Sequence, residues 1–370
     1  MRSSRENRVR LLLALTALAA AGLVVADQYH TSPAATVAGT QVTQPSGSAG
    51  TAATKASNPP GSTTASTSSV PASTSTSSTS TTTGSQPASY PVASVQLSIE
   101  AHNLSGTTVP VPTTVFYPDT AGAAPRRFPL VVFSPGFDID PAVYTPLITT
   151  WVKAGFVVPV VSYPDTLPGS PLVETDMVNH PSELSQVISD FVDGSPYVPA
   201  SLSGIVDGAS VAVAGQSDGG DVSVAAAAGS CCKDTRIKAA IILSGAEETL
   251  YGNGYFASGS PPILVVQGGQ DPVNAPSCSE QIYDGAPQPR FYLAIPAASH
   301  LSAYTAPVGP QLLVTRAVTV AFLEKYLTGA AISSAGLSQL ASSQGSVAYM
   351  VSGSATVPIV GTCLGAPPGP

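Results

Sequence analysis

Apolar runs rich in Val and Ile alternate, from about Tyr90 onward, with segments whose apolar residues recur at helical spacing. Runs without polar alternation predict strands buried on both faces, as in parallel sheets. The predicted strands cover residues 95–101, 113–117, 130–133, 156–162, 211–214, 239–243, 263–266 and 290–295. The predicted helices cover residues 144–154, 181–192, 222–228 and 312–327. The pattern therefore predicts an α/β fold with a mostly parallel, doubly wound sheet.

The N-terminal part of the chain has a different pattern. Several arginines precede an uncharged apolar run from Leu11 to Ala26, which is typical of an export signal. The run has sixteen residues, fewer than the roughly 20 that a membrane span needs. We therefore interpret residues 1–26 as a signal peptide cleaved after Ala26, with an uncleaved signal anchor as the alternative.

Residues 27–89 are dominated by Ser, Thr, Ala, Gly and Pro. Such a segment has little apolar surface to bury, so it predicts a disordered stalk. We expect a secreted or cell-surface protein, with association to a membrane or cell envelope through the N-terminus left open. The folded domain is predicted at residues 90–328, and residues 329–370 are interpreted as a low-complexity tail.

Charge narrows the range of partners. The chain has 14 Lys and Arg against 22 Asp and Glu, and a net charge of −8. Nucleic-acid binders need clustered basic residues to displace phosphate counterions, so no nucleic-acid partner is expected. The spacing of Cys and His matches no metal site, and neither a metal nor a cofactor is predicted. The net negative charge of the chain repels polyanions, and we interpret it as suited to neutral substrates.

All four cysteines lie in the part of the chain that would be exported. An oxidising compartment permits disulfides there. A bond between the adjacent Cys231 and Cys232 would close a strained small ring, which leaves two pairings open. Either of them links these residues to Cys278 and to the tail at Cys363.

The pattern G-x-S-x-G occurs at residues 215–219, directly after the predicted strand 211–214. A nucleophilic Ser at the tip of a sharp strand-to-helix turn is strained, and side chains two residues away on either side would collide with neighbouring elements. An Ala-rich predicted helix follows. This context predicts that Ser217 is a nucleophile.

A nucleophilic Ser needs a His that acts as base. Three His lie in the predicted folded part. His102 lies near its start, and His180 opens a predicted helix. His300 follows the last predicted strand before the closing helix, where the base is expected in this order of elements.

The base in turn needs a carboxylate that orients it. Asp271 comes just after the strand 263–266, beside glycines that allow close approach. We predict Asp271 as this acid. Glu247 or Glu248, after the strand 239–243, is the alternative.

The negative charge of a tetrahedral intermediate needs preorganised donors. The backbone N–H of Asp218, the residue after the nucleophile, is the first candidate. The second is the N–H of Phe137, in the sharp turn Ser134-Pro135-Gly136-Phe137 that ends the strand 130–133. Phe137 also supplies an aromatic wall.

These motifs resemble the α/β-hydrolase superfamily over residues 90–328. The stretch LVVFSPGF, followed by YTPLITTWVKAGFVVPVVSYP, is similar to secreted bacterial polyester hydrolases, cutinase-like lipases and platelet-activating-factor acetylhydrolase-like enzymes. Their elbow is often G-H-S-M-G or G-H-S-D-G, whereas Gln216 stands here in place of His. The resemblance implies the α/β-hydrolase fold and hydrolysis of an ester or lipid-like small molecule without a cofactor.

The segment 244–262 is the usual place for a large lid, but it is Gly-rich and fits no large helical cap. We therefore expect an open cleft walled by aromatic residues, with Phe137, Tyr251 and Tyr255 as substrate-binding candidates. Two alternatives stay open. One is a serine peptidase of the same fold, and the other is a catalytically silent binding module on the cell surface.

Overall fold

The computed structural model describes residues 89–120, 126–252, 254–256, 259–343 and 345–357, together with residue 363. The predicted signal segment 1–26 and residues 27–88 of the predicted stalk lie outside the described residues. The strands are β1 Val92–His102, β2 Thr108–Pro118, β3 Phe128–Ser134, β4 Val158–Val161, β5 Val206–Gln216, β6 Ile237–Leu243, β7 Ile263–Gly268, β8 Arg290–Ile295 and β9 Tyr349–Ser352.

These strands form one nine-stranded sheet in the order β1-β2-β4-β3-β5-β6-β7-β8-β9. The six strands from β4 to β8 in this order run parallel, whereas β1, β2 and β9 pair antiparallel at the two ends. Strands β4 and β7 are buried at every residue, which explains their unbroken apolar runs in the sequence. The α/β prediction with a mostly parallel sheet is confirmed.

Helices cover both faces of the sheet. The α-helices are α1 Thr145–Lys153, α2 His180–Val192, α3 Ala200–Ser203, α4 Asp218–Ala228, α5 Pro276–Gly285, α6 Pro310–Leu323 and α7 Ser334–Ser342. Apolar residues of α2, α4 and α5 share one core with one face of the sheet. Those of α1, α6 and α7 share a second core with the other face. The sheet is therefore doubly wound.

Residues beyond 328 contribute to this domain. After a π-helical turn, Glu324–Thr328, the chain forms α7 and then β9, which pairs with β8 at the edge of the sheet. The segment expected to be a low-complexity tail thus contains a helix and an edge strand. Short apolar stretches separated by Ser and Gly gave no clear periodicity there, so neither element was predicted.

The disulfides differ from the prediction. Cys278 pairs with Cys363, as a link between the domain and its C-terminal segment, and Cys231 pairs with the adjacent Cys232. The exclusion of the adjacent pair was wrong. Cys278 and Cys363 bond to each other, and the turn after α4 brings the two remaining sulfurs together. Two disulfides indicate an oxidising, extracellular setting.

The structure bears on two further features, a lid between β6 and β7 and a helix that could span a membrane. Between β6 and β7 the described residues contain only one short 3₁₀ helix, Thr249–Tyr251. Within the parts of the chain that the structure describes, no helix has the length and apolar character needed to cross a membrane.

Candidate active site

The loops after β3 and β5 lie at the point where the chain changes direction across the sheet. β3 and β5 are parallel neighbours, with Ser134 opposite Gly215. From β3 the chain continues to β4 on one side, and from β5 it continues to β6 on the other. Ligands of open α/β sheets bind in the crevice at such a switch point. Ser217 lies in this crevice, one residue after β5.

The turn at Ser217 is strained and sterically tight. Ser217 has φ 55° and ψ −128°, a backbone conformation that residues other than glycine rarely adopt. It occupies the N-cap position of α4. A Cβ added at Gly215 would lie 1.9 Å from the Gly219 oxygen, and one at Gly219 would lie 2.0 Å from the Ser134 oxygen. Only glycine therefore fits at both positions, and the sharp turn predicted from the sequence is present.

Asp271 and His300 are in direct contact. His300 Nδ1 lies 2.8 Å from Asp271 Oδ2, and both residues are buried. The other oxygen, Oδ1, accepts hydrogen bonds from the backbone amides of Val273 and Asn274, at 2.9 Å each. The carboxylate is thus fixed in place, and it holds the Nδ1 proton of the imidazole.

Two glycines let the loops carrying these side chains approach each other. A Cβ at Gly268 would lie 2.6 Å from the Ala298 oxygen, and one at Gly269 would lie 2.6 Å from the Pro296 oxygen. Between the loops, Gln270 N donates to Ala298 O at 2.9 Å. The Asp271–His300 pair is therefore assembled by the loops after β7 and β8.

Gln216 contacts the second nitrogen of His300. Its Nε2 lies 3.1 Å from His300 Nε2 and also donates to the His300 carbonyl oxygen at 3.1 Å. Its Oε1 accepts from the Tyr144 hydroxyl at 2.6 Å. Because Nδ1 donates to Asp271, Nε2 of His300 is the acceptor of the Gln216 amide. No hydrogen bond of the described residues involves the Ser217 hydroxyl.

The role of Gln216 was missed by the sequence interpretation, which treated it only as a departure from the common elbow pattern. The signal was present, because Gln216 precedes the predicted nucleophile and ends a parallel strand at the switch point. Its partners could not be inferred, since Tyr144 and His300 are distant in the chain.

The loop after β3 packs against Ser217. A Cβ at Gly136 would lie 3.1 Å from Ser217 Cβ. The next residue is Phe137, which is partly exposed. Across the described part of the chain, the backbone amides of Phe137 and Asp218 donate to no other residue. Both amides flank the Ser217 turn. The Phe137 donor is unused, as a site for an oxyanion requires, whereas the Asp218 amide interacts with its own carboxylate.

The other predicted side chains are placed as follows. Tyr251 is buried, and its hydroxyl donates to Met177 O at 2.8 Å, so its ring forms part of the core. Tyr255 is partly exposed, and its hydroxyl donates to Glu248 O at 3.0 Å. Glu248, an alternative acid, lies in the loop after β6, and the hydrogen bonds of His300 among the described residues include none to it.

His102 and His180 lie elsewhere. His102 is exposed at the end of β1. His180 begins α2 and stacks on Tyr163, with ring centroids 3.7 Å apart. Burial lowers the pKa of His180. The Tyr163 hydroxyl lies 2.9 Å from Ser134 Oγ, so this stack supports the end of β3.

Four acidic side chains interact with one another, and one of them, Asp218, directly follows Ser217. We call them the carboxylate cluster: Glu174, Asp218, Asp221 and Glu248. Burial and the charge of Glu174 raise the pKa of Asp218 to about 7. Burial and the charges of Asp218 and Glu174 raise the pKa of Glu248 to about 8. The pKa of Asp221 is raised well above its usual range by burial and then by the Glu248 charge. Because the cluster comes from three separate segments, it could not be predicted from the sequence.

No group of His, Cys, Asp and Glu among the described residues is arranged to hold a metal ion. Comparison of the chain with protein-family models and with curated protein sequences finds no match in either.

Proposed function

We propose that this protein is a serine hydrolase with an α/β-hydrolase fold, which cleaves carboxylic esters. The observation that carries the proposal is the pairing of Asp271 with His300 directly beside the strained turn of Ser217. The order Ser, Asp, His along the chain is that of α/β-hydrolases. The strand order and the G-x-S-x-G turn support the same fold.

In this mechanism Ser217 Oγ attacks the ester carbonyl carbon and passes its proton to His300 Nε2. The amides of Phe137 and Asp218 hold the resulting oxyanion. Collapse of the intermediate breaks the C–O bond, and the alcohol leaves with the proton from His300. Water then repeats the sequence and releases the acid and free Ser217. Before the first step the Gln216 amide must move off Nε2, because that lone pair takes the serine proton.

The proposal includes the site of action. Residues 1–26 act as an export signal, and residues 27–89 act as a stalk, so the domain works outside the cell or on its surface. The disulfides support this location. The substrate is an ester or lipid-like small molecule, and no nucleic acid takes part.

Fluorophosphonate labelling tests the proposal. Exported protein is treated with a fluorophosphonate probe and with p-nitrophenyl esters of increasing chain length, alongside Ser217→Ala. We expect the wild type to be labelled and to turn over esters, and the variant to lose both. Ser203→Ala, in the short helix α3, is the matched control and keeps both.

Three outcomes separate the candidate functions. Ester turnover without cleavage of peptide anilides supports the esterase or lipase, and efficient anilide cleavage points to a peptidase. A folded wild type that is neither labelled nor active overturns the proposal in favour of a silent binding module. Labelling that persists in Ser217→Ala excludes Ser217 as nucleophile.

A further inference from the structure

The carboxylate cluster is assembled by three segments that pack together beside Ser217. Glu174 begins the 3₁₀ helix Glu174–Val178, and Asp218 and Asp221 lie in the first turn of α4. Glu248 lies in the loop after β6. The Tyr251 hydroxyl joins this loop to Met177, and Ala246 N donates to Asp221 Oδ1 at 2.5 Å. The cluster is therefore a fixed part of the fold.

The cluster has no positive partner in the described part of the chain. The ion pairs found there involve other carboxylates, those of Asp176, Asp193, Asp234 and Asp271. Two oxygens of the cluster, Asp218 Oδ2 and Glu248 Oε2, are buried without any hydrogen-bond partner. Glu248 is only 4 % exposed. A buried carboxylate oxygen that accepts nothing is costly, so these atoms point to a missing donor or cation.

Two members of the cluster are partly exposed, and one of them adjoins the reacting serine. Asp218 directly follows Ser217, and both Asp218 and Glu174 are partly exposed, whereas Asp221 and Glu248 are buried. A group that binds beside Ser217 therefore lies next to Asp218, and through it next to the rest of the cluster. The neighbouring ring of Tyr255 adds an aromatic surface, which attracts organic cations.

We propose that the enzyme acts on esters that carry a positively charged nitrogen, which the carboxylate cluster binds next to the scissile bond. This inference rests on the proposed function, because it assigns the substrate class of the same site. It replaces the expectation of neutral substrates, which considered only the net charge of the chain. An organic cation is the partner because the aromatic ring of Tyr255 lies beside Glu248, and aromatic faces attract organic cations.

Substrate pairs that differ only in charge test the inference. Acetylthiocholine and 3,3-dimethylbutyl thioacetate have the same shape, with a quaternary nitrogen in one and carbon in the other. A second pair, p-nitrophenyl 6-aminohexanoate and heptanoate, places the charge in the acyl chain. At pH 8.5 we expect kcat/KM to be at least about tenfold higher for the cationic member of one pair.

Two variants connect this preference to the cluster. Glu248→Gln keeps the size of the side chain and removes its charge, so the ratio should fall several-fold toward one. Glu247→Gln is the matched control. The pKa of Glu247 is raised by burial alone, with no contribution from the cluster. The ratio of kcat/KM for the cationic and neutral substrates should therefore stay at the wild-type value. Should Glu248→Gln not fold, competition by tetramethylammonium against neutral-ester turnover of the wild type supplies the second readout.

The outcomes for the two proposals differ. Absence of fluorophosphonate labelling and of all turnover overturns the hydrolase itself. Labelling with equal turnover of cationic and neutral members in both pairs overturns only the cation preference. A preference that persists unchanged in Glu248→Gln, or that Glu247→Gln reduces equally, also overturns it.

Discussion

Gln216 connects the proposed base, His300, to Tyr144, because its side-chain amide contacts His300 Nε2 and its side-chain oxygen accepts from the Tyr144 hydroxyl. Gln216→Glu keeps the Tyr144 contact and places a carboxylate against the imidazole. A negative charge there stabilises the protonated ring, so more alkaline solution is needed to free the base. We expect the acid limb of the kcat/KM profile to move to higher pH by about one unit.

The pH profile is measured with a neutral p-nitrophenyl ester over pH 5–9. Gln270→Glu, an exposed residue that adds the same charge, is the control and leaves the profile in place. An unshifted profile in Gln216→Glu would mean that Gln216 does not contact the working base.

At the scale of elements, the junction between β3 and α4 depends on the absence of one side chain. A Cβ at Gly219 would lie 2.0 Å from Ser134 O and 2.5 Å from Pro135 O, both rigid backbone atoms. Gly219→Ala therefore forces α4 away from the loop after β3. We expect a loss of at least about 2 kcal/mol in the free energy of unfolding, although Ala is the better helix former by ~1 kcal/mol.

Urea unfolding measures this effect. Gly336→Ala, in the exposed first turn of α7, is the matched control, because its Cβ would meet nothing closer than 3.4 Å. Its stability should stay equal to the wild type or rise slightly. Equal stability of the two variants would show that the junction is not tightly packed.

The elements that could be predicted from the sequence are the buried strands made of consecutive apolar residues, such as β3 and β7. The same holds for the positions of Ser217, Asp271 and His300, because each lies in the loop that follows such a strand. Helix α5 was missed, since its buried positions include Ser, Cys and Glu and give no apolar stripe. The carboxylate cluster and the Gln216 contacts depend on distant segments that meet only in the folded chain.

For the whole molecule, the two disulfides have unequal effects. Cys278–Cys363 spans 85 positions of the chain, whereas Cys231–Cys232 spans one. A crosslink restricts the unfolded chain more when it closes a longer loop, and the effect grows with the logarithm of the loop length. Replacing Cys278 and Cys363 by Ala should lower the free energy of unfolding by about 2–4 kcal/mol. The same double replacement at Cys231 and Cys232 is the control, and urea unfolding should show a smaller loss.

The carboxylate cluster also makes the stability of the whole domain depend on pH. The pKa of Glu248 is raised to about 8 in the folded protein, above its value of about 4.5 in an unfolded chain. The folded state therefore holds the Glu248 proton more tightly than the unfolded chain does. The stabilisation that comes from this protonated carboxyl is present at pH 4 and is lost as pH rises toward 8. The raised pKa values of Asp218, Asp221 and Glu174 act in the same direction.

Glu248→Gln removes one titrating member of the cluster. The Tm of the variant minus the Tm of the wild type should therefore increase by several degrees from pH 5 to pH 9. Thermal unfolding followed by circular dichroism over this range measures the difference. Glu247→Gln should show a smaller increase, because only burial raises the pKa of Glu247. A Tm difference between Glu248→Gln and the wild type that stays constant with pH would mean that Glu248 is already ionised at pH 5. The cluster would then need a permanent positive partner, such as a bound cation that copurifies with the protein.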